Sequence, residues 1–100
     1  MSKPSKVEEV SNEWLESTSK QIIEHMNDDH SNSIISALYV QYGIKDIYAR
    51  MEKLEVGGYY ALSEGRLYFL TFGELCASVE EYKMELKKHA KKYRKYDLKR

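Results

Sequence analysis

The sequence predicts a single α+β domain in the order long N-terminal helix, three-stranded antiparallel meander, C-terminal helix (α-β-β-β-α). Apolar residues recur at helical spacing over residues 19–42 and again over 79–93. Between them, residues 47–72 form short alternating runs separated by glycine turns, which is typical of strands. Since these strands are close in sequence, we expect them to pair antiparallel, with the two helices packed as a layer on the sheet.

The composition is that of an ordinary globular domain and excludes several classes of protein. The chain is 42% hydrophobic and 32% charged. Its formal net charge is zero, so the overall charge does not favour binding to nucleic acid. A single cysteine, Cys76, excludes an internal disulfide and a cysteine-rich zinc site. We expect a cytoplasmic protein without a membrane segment, because no signal peptide and no apolar run of about 18–20 residues is present.

The 100-residue chain divides into three parts. Residues 1–16 are predicted to be a partly helical N-terminal extension, residues 17–97 the domain, and residues 98–100 a basic tail. The spacing of Val7, Val10 and Trp14 predicts a short helix in the extension, which either precedes the main helix or merges with it.

The main helix is predicted to run from about residue 19 to residue 42. Thr18 and Gln21 fit a capping box at its start, and Gly43 is a typical C-terminal stop. The apolar stripe on one face comprises Ile22, Ile23, Met26, Ile34, Ala37 and Val40. The second half is also apolar on its opposite side, so we expect it to be covered by the sheet and by either the last helix or another subunit.

The strands are predicted at residues 47–56, 59–63 and 66–72. The alternation shifts phase near Glu52, which indicates a β-bulge in the first strand. Gly57-Gly58 and Glu64-Gly65 are typical hairpin turns. The last helix should begin at a second capping box, formed by Ser78 and Glu81.

The stretch from His25 to His30 (HMNDDH) is the candidate functional site. In a regular helix the two histidines lie about 140° apart, so they should not hold one metal ion together, and we expect no metal site. Asp29 and His30 are sequence neighbours that diverge, so acid–base catalysis would need a partner from elsewhere.

Two interpretations of this stretch stay open. His30 falls near the middle of the apolar face, where it could be a buried residue that ties the helix to the sheet together with Asn27 and Asp29. It could instead be a single-histidine ligand to a cofactor such as haem, although the spacing alone favours the structural interpretation. Elsewhere, we expect Cys76 to be a half-buried structural thiol and His89, which lies among lysines, to be a surface residue.

The motif resembles the His-Met-Asn-x-Asp-His signature of the small C-terminal domain of haem iron utilisation proteins of the HugZ type, over about residues 19–95. Three further segments are similar in the same order: Glu55-Val56-Gly57-Gly58-Tyr59, Thr71-Phe72 and Leu86-Lys87-Lys88-His89-Ala90. The resemblance implies an α+β fold and haem or tetrapyrrole handling, with His25, Asn27, Asp29 and His30 as cofactor-binding residues. Glu55 stands where that family usually has Asp.

The relatives carry a split barrel that this sequence lacks, so we expect ligand or partner binding rather than haem degradation. Haem or a related tetrapyrrole is the first expected ligand. The alternatives are a dimerisation or protein-interaction module, in which the motif is structural, and nucleic-acid binding through the basic last helix. We expect a second copy or a partner protein, and do not expect nucleic acid.

Overall fold

The computed structural model describes residues 13–93 and confirms the predicted α+β order. Its elements are α1 Glu13–Asp29, α2 Ser31–Tyr42, β1 Arg50–Glu55, β2 Gly58–Ser63, β3 Arg66–Thr71 and α3 Val79–Tyr93. The helix predicted around Val7 and Val10 and the tail at 98–100 lie outside the described residues.

The N-terminal helix differs from its prediction at its start and in its middle. It includes Glu13, six residues before the expected start, so the helix predicted around Trp14 merges with the main one over residues 13–16 and Thr18 is not an N-cap. At the other end the prediction is confirmed: Gly43 adopts a left-handed φ of 73° and its N–H donates to the Tyr39 carbonyl at 2.7 Å.

A break at His30 divides the predicted long helix into α1 and α2. His30 has φ −133° and ψ 30°, outside the helical range. Its N–H still donates to the Met26 carbonyl, whereas its own carbonyl accepts from both the N–H and the hydroxyl of Ser33, at 3.1 and 2.8 Å. The break falls in a run of polar residues with low helix propensity, in which a serine side chain competes for a backbone carbonyl.

The three strands form one antiparallel sheet in the order β1-β2-β3. The register of β1 against β2 shifts between Met51 and Lys53, which confirms the predicted bulge. Both predicted hairpins are also present, although the first turn is Val56-Gly57, one residue earlier than predicted, and Gly58 begins β2. The second turn is Glu64-Gly65, as predicted. The structure begins the first strand at Arg50 rather than at residue 47.

The helices pack on one face of the sheet and enclose the core there. The side chains that are fully buried include Tyr59, Tyr82, Ile34, Ile35, Leu38, Met51 and Leu70. The expected cover of α2 on all sides is not complete, because Val40 and Tyr39 are each 42% exposed. None of the helices in residues 13–93 is long and apolar enough to cross a membrane.

Amide side chains from two helices bind the two edges of the sheet. Asn27 of α1 donates to the Met51 carbonyl at 3.0 Å and accepts from the Met51 N–H at 2.7 Å. Gln41 of α2 bonds the carbonyl and N–H of Thr71 on β3 in the same way, at 3.3 and 3.2 Å. Each amide thus pairs with the backbone N–H and carbonyl of one edge-strand residue, as a neighbouring strand would.

Candidate functional site

The break after α1 brings the two motif histidines together, which corrects the prediction that they diverge. The ring centroids of His25 and His30 lie 4.9 Å apart at an interplanar angle of 65°. The expected 140° separation assumed one regular helix, and the helix ends at Asp29. His30 is also exposed rather than buried in the apolar face, since the backbone turns at that residue.

Asp29 orients one of these imidazoles. Its carboxylate Oδ2 lies 3.2 Å from Nδ1 of His25, four residues earlier on α1. Both side chains are more than half exposed, at 60% and 63%, so this pair contributes little to stability. Its consequence is positional: with Nδ1 facing a carboxylate, Nε2 is the nitrogen of His25 left to meet a ligand.

Asn27 has a structural role and is not part of the histidine cluster. Its amide is engaged with the Met51 backbone on β1, and neither Asp29 nor His30 reaches the sheet. The predicted polar tie between helix and sheet is therefore formed by Asn27 alone among the motif residues. The other three side chains, His25, Asp29 and His30, lie at the surface.

A groove between α1 and α3 runs beside the two histidines. Its volume is about 710 Å³, and its lining residues are Thr18, Gln21, Ile22, His25, Met26, His30, Lys83, Leu86, Lys87, Ala90 and Lys91. Ile22, Met26 and Leu86 are buried and supply an apolar floor. The volume lies within the range of about 300–1,000 Å³ that is typical of small-molecule and cofactor sites.

The two walls of this groove have different chemistry. The α1 side presents the imidazoles of His25 and His30, whereas α3 presents Lys83, Lys87 and Lys91. The lysines recur at intervals of four residues and so share one face of α3. No carboxylate lines the groove within the described residues, and the groove is therefore suited to an anionic ligand with an apolar body.

His89 is buried, which makes the expectation of a surface residue wrong. It is 4% exposed, and its Nε2 shares a hydrogen bond of 2.6 Å with the hydroxyl of Tyr59. Burial, with a smaller effect from Lys92, lowers the pKa of His89 to about 4, so the imidazole is neutral at pH 7. The sequence feature that indicates its burial is its helical spacing with the buried residues Tyr82, Leu86 and Tyr93.

Cys76 is more buried than expected and unsuited to nucleophilic chemistry. It is 6% exposed, and its N–H donates to the Val56 carbonyl at 2.8 Å. Burial raises the pKa of the thiol, and the nearby carboxylates of Glu85, Glu81 and Glu74 raise it further. The thiol is therefore protonated at neutral pH.

Within residues 13–93, no group of three or more histidine, cysteine or carboxylate side chains is arranged to hold a metal ion. Comparison of the chain with family models, curated proteins and solved structures gave no match. The resemblance to the haem iron utilisation proteins therefore stays a prediction. The function is argued below from the geometry of the groove.

Proposed function

We propose that this domain binds an anionic, amphipathic small molecule in the groove between α1 and α3. Haem or a related tetrapyrrole is the first candidate. The observation that carries the proposal is one arrangement: an apolar floor with two imidazoles on one wall and three lysines on the other. The proposal is for binding, without catalysis.

The apolar floor and the lysines match different parts of such a ligand. A tetrapyrrole has a flat hydrophobic body, which gains free energy when it leaves water for a surface such as that of Ile22, Met26 and Leu86. Its carboxylate side chains carry negative charge, and lysine ammonium groups favour such groups electrostatically. Lysines can also cover the apolar body with their methylene stems.

The imidazole wall supplies what an iron-containing tetrapyrrole needs. One histidine is enough as an axial ligand to haem iron, so a cluster of three metal-binding side chains is not required. His25 is the better placed of the two, because the carboxylate of Asp29 faces its Nδ1 and leaves Nε2 to coordinate. The predicted site thus retains His25, Asp29 and His30, while Asn27 serves the fold.

Titration of the purified protein with haemin tests the proposal. We expect the Soret band of haemin to shift saturably as protein binds it. His25→Ala should lower the affinity for haemin at least about tenfold, the scale on which the loss of metal-site interactions reduces affinity. Iron-free protoporphyrin should bind more weakly and should not respond to His25→Ala. Lys83→Met and Lys87→Met should lower the affinity for both molecules, because they remove charge but keep the apolar stem.

Lys45→Met is the matched control, since Lys45 is exposed in the α2–β1 connection and does not line the groove. Its affinity for haemin should equal that of the wild type. The proposal is contradicted if the protein does not shift the Soret band of haemin. It is also contradicted if none of the groove variants changes the affinity for haemin.

Association with a second copy or a partner protein remains the alternative. Tyr39, Val40 and Tyr42 leave part of α2 apolar and exposed. Nucleic-acid binding has less support, because Lys83, Lys87 and Lys91 line the groove. Four further basic residues lie in the segment 94–100, outside the described part of the chain.

A further inference from the structure

An aromatic corner lies on the face of the sheet that is turned away from the helices. Tyr60 of β2 and Phe69 of β3 are direct cross-strand partners, and both are partly buried. Their ring centroids are 5.2 Å apart at an interplanar angle of 59°. The two rings are therefore tilted against each other and present aromatic surface beside the β1–β2 turn.

Two glutamates line the same concavity as these rings. A concavity of about 520 Å³ is lined by Glu55, Val56, Gly57, Tyr60, Phe69, Thr71, Gly73, Glu74 and Leu75. Both charged residues of this lining are glutamates, and no lysine or arginine of the described residues contributes to it. Aromatic faces and carboxylates attract the same class of group, a cation with a weakly hydrated or planar head.

Lys53 already places a cation at the edge of this corner. Its Nζ lies 6.0 Å from the ring centroid of Tyr60 and 3.6 Å from Oε2 of Glu55. The Lys53 and Glu55 side chains are 65% and 43% exposed, so their ion pair is weak and a competing cation can displace it.

We propose that the corner formed by Tyr60, Phe69, Glu55 and Glu74 binds an arginine side chain from a basic segment of a partner protein. A guanidinium group stacks on aromatic faces and pairs with carboxylates through parallel N–H groups, which an ammonium group does not do equally well. The site is independent of the groove between α1 and α3, because it lies on the opposite face of the sheet.

NMR titration of the full chain, labelled with ¹⁵N, tests this proposal with acetyl-Gly-Arg-Gly-amide as the probe. The matched neutral probe replaces arginine with citrulline. We expect saturable shifts at Glu55, Tyr60 and Phe69 with the arginine peptide and none with the citrulline peptide. Glu55→Gln and Tyr60→Leu should each weaken binding about threefold or more, the scale of one exposed cation–π or charge contact.

Lys53→Met gives the sharpest outcome, since it removes the competing ammonium group and should strengthen binding about twofold to fivefold. If Tyr60 only stabilised the fold, Lys53→Met would not increase the affinity for the arginine peptide. Glu64→Gln and Tyr48→Leu are controls at exposed positions outside the corner and should leave the affinity unchanged. Equal binding of the citrulline peptide, or weaker binding by Lys53→Met, would overturn the proposal.

Discussion

The buried imidazole of His89 ties α3 to the sheet through a single short hydrogen bond. Its partner, the Tyr59 hydroxyl, is itself fully buried, and burial raises the pKa of Tyr59 well above its ordinary value. The rings of Phe72 and Tyr93 pack against the imidazole, with centroids 5.7 and 4.8 Å away. Such a site favours the neutral imidazole, because a charge there would lose its hydration without gaining a counter-ion.

Acid should therefore destabilise the fold through His89. Its pKa is about 4 in the folded protein against an ordinary value of 6.5, so the unfolded chain binds more protons between these two pH values. The free energy of unfolding falls as the pH decreases from 6.5 to 4, and we expect His89 to contribute a loss of about 3 kcal/mol. Urea unfolding at a series of pH values measures this loss.

The His89→Gln variant separates this effect from the titration of carboxylates. Glutamine does not titrate and keeps a hydrogen-bonding group near Tyr59. The difference in stability between wild type and His89→Gln should therefore shrink by about 3 kcal/mol between pH 7 and pH 4. A difference that stays constant with pH would mean that His89 does not carry the acid sensitivity.

At the residue scale the sequence identified the candidate motif but not the direction of its side chains. The low helix propensity of the polar run was visible, yet a regular helix was assumed through His30. That assumption placed His30 inside the apolar face and apart from His25, and both placements are wrong. A break in one helix turn changes every angular relation beyond it, so periodicity cannot place side chains on the far side of it.

At the element scale the turns were more predictable than the helix ends. The Glu64-Gly65 turn is recognised locally, because both residues have a positive φ, of 50° and 80°, which few residue types adopt readily. The first hairpin was also predicted, but its turn lies one residue earlier, at Val56-Gly57. Ser78 at the start of α3 was also found locally, and its hydroxyl accepts the Glu81 N–H at 3.2 Å. Thr18 resembles an N-cap but lies inside α1, because Leu15 in the core and the partly buried Trp14 belong to the same helix; the spacing that includes Trp14 had left this merging open.

The β1–β2 hairpin depends on Gly58 for a reason that the turn pattern does not reveal. A Cβ at Gly58 would lie 2.1 Å from the carbonyl oxygen of Leu70 on β3, and the backbone φ is +158°. We expect Gly58→Ala to cost roughly 3 kcal/mol or more in the free energy of unfolding, since the clash is with backbone and cannot be relieved by a rotamer change. Chemical denaturation measures the loss.

Gly65 and Gly57 are matched controls for Gly58. Gly65 has φ +80° and open space around its Cα, so Gly65→Ala should cost only about 1 kcal/mol, the strain of a left-handed alanine. At Gly57 the nearest atom is the flexible Leu75 Cδ2 at 3.0 Å, and the cost should be smaller still. Equal losses for Gly58→Ala and Gly65→Ala would show that β3 moves freely away from β2.

At the scale of the whole molecule, a three-stranded sheet exposes two edges, and this domain covers one position on each with a helix amide. The contacts join residues 24 and 30 positions apart in sequence. No local pattern marks Asn27 or Gln41 for this role, because an amide on a helix is ordinary until the position of the sheet is known. The fold order was therefore predictable from the sequence, whereas the attachment of the helices to the sheet edges was not.

Removing both amides should convert the sheet edges into sites for strand addition. In the double variant Asn27→Ala, Gln41→Ala, the N–H and carbonyl groups of Met51 and Thr71 lose their partners and can pair with another chain. We expect Asn27→Ala and Gln41→Ala each to cost about 1–3 kcal/mol, because the Asn27 bonds to Met51 and the Gln41 bond to the Tyr93 hydroxyl are partly buried. Light scattering well below each melting temperature should show more association in the double variant than in either single one.

Asn32→Ala, an exposed change on α2, is the control and should behave as the wild type. If the double variant stays as dispersed as this control, the helices protect the edges by bulk alone and the amides act only on stability.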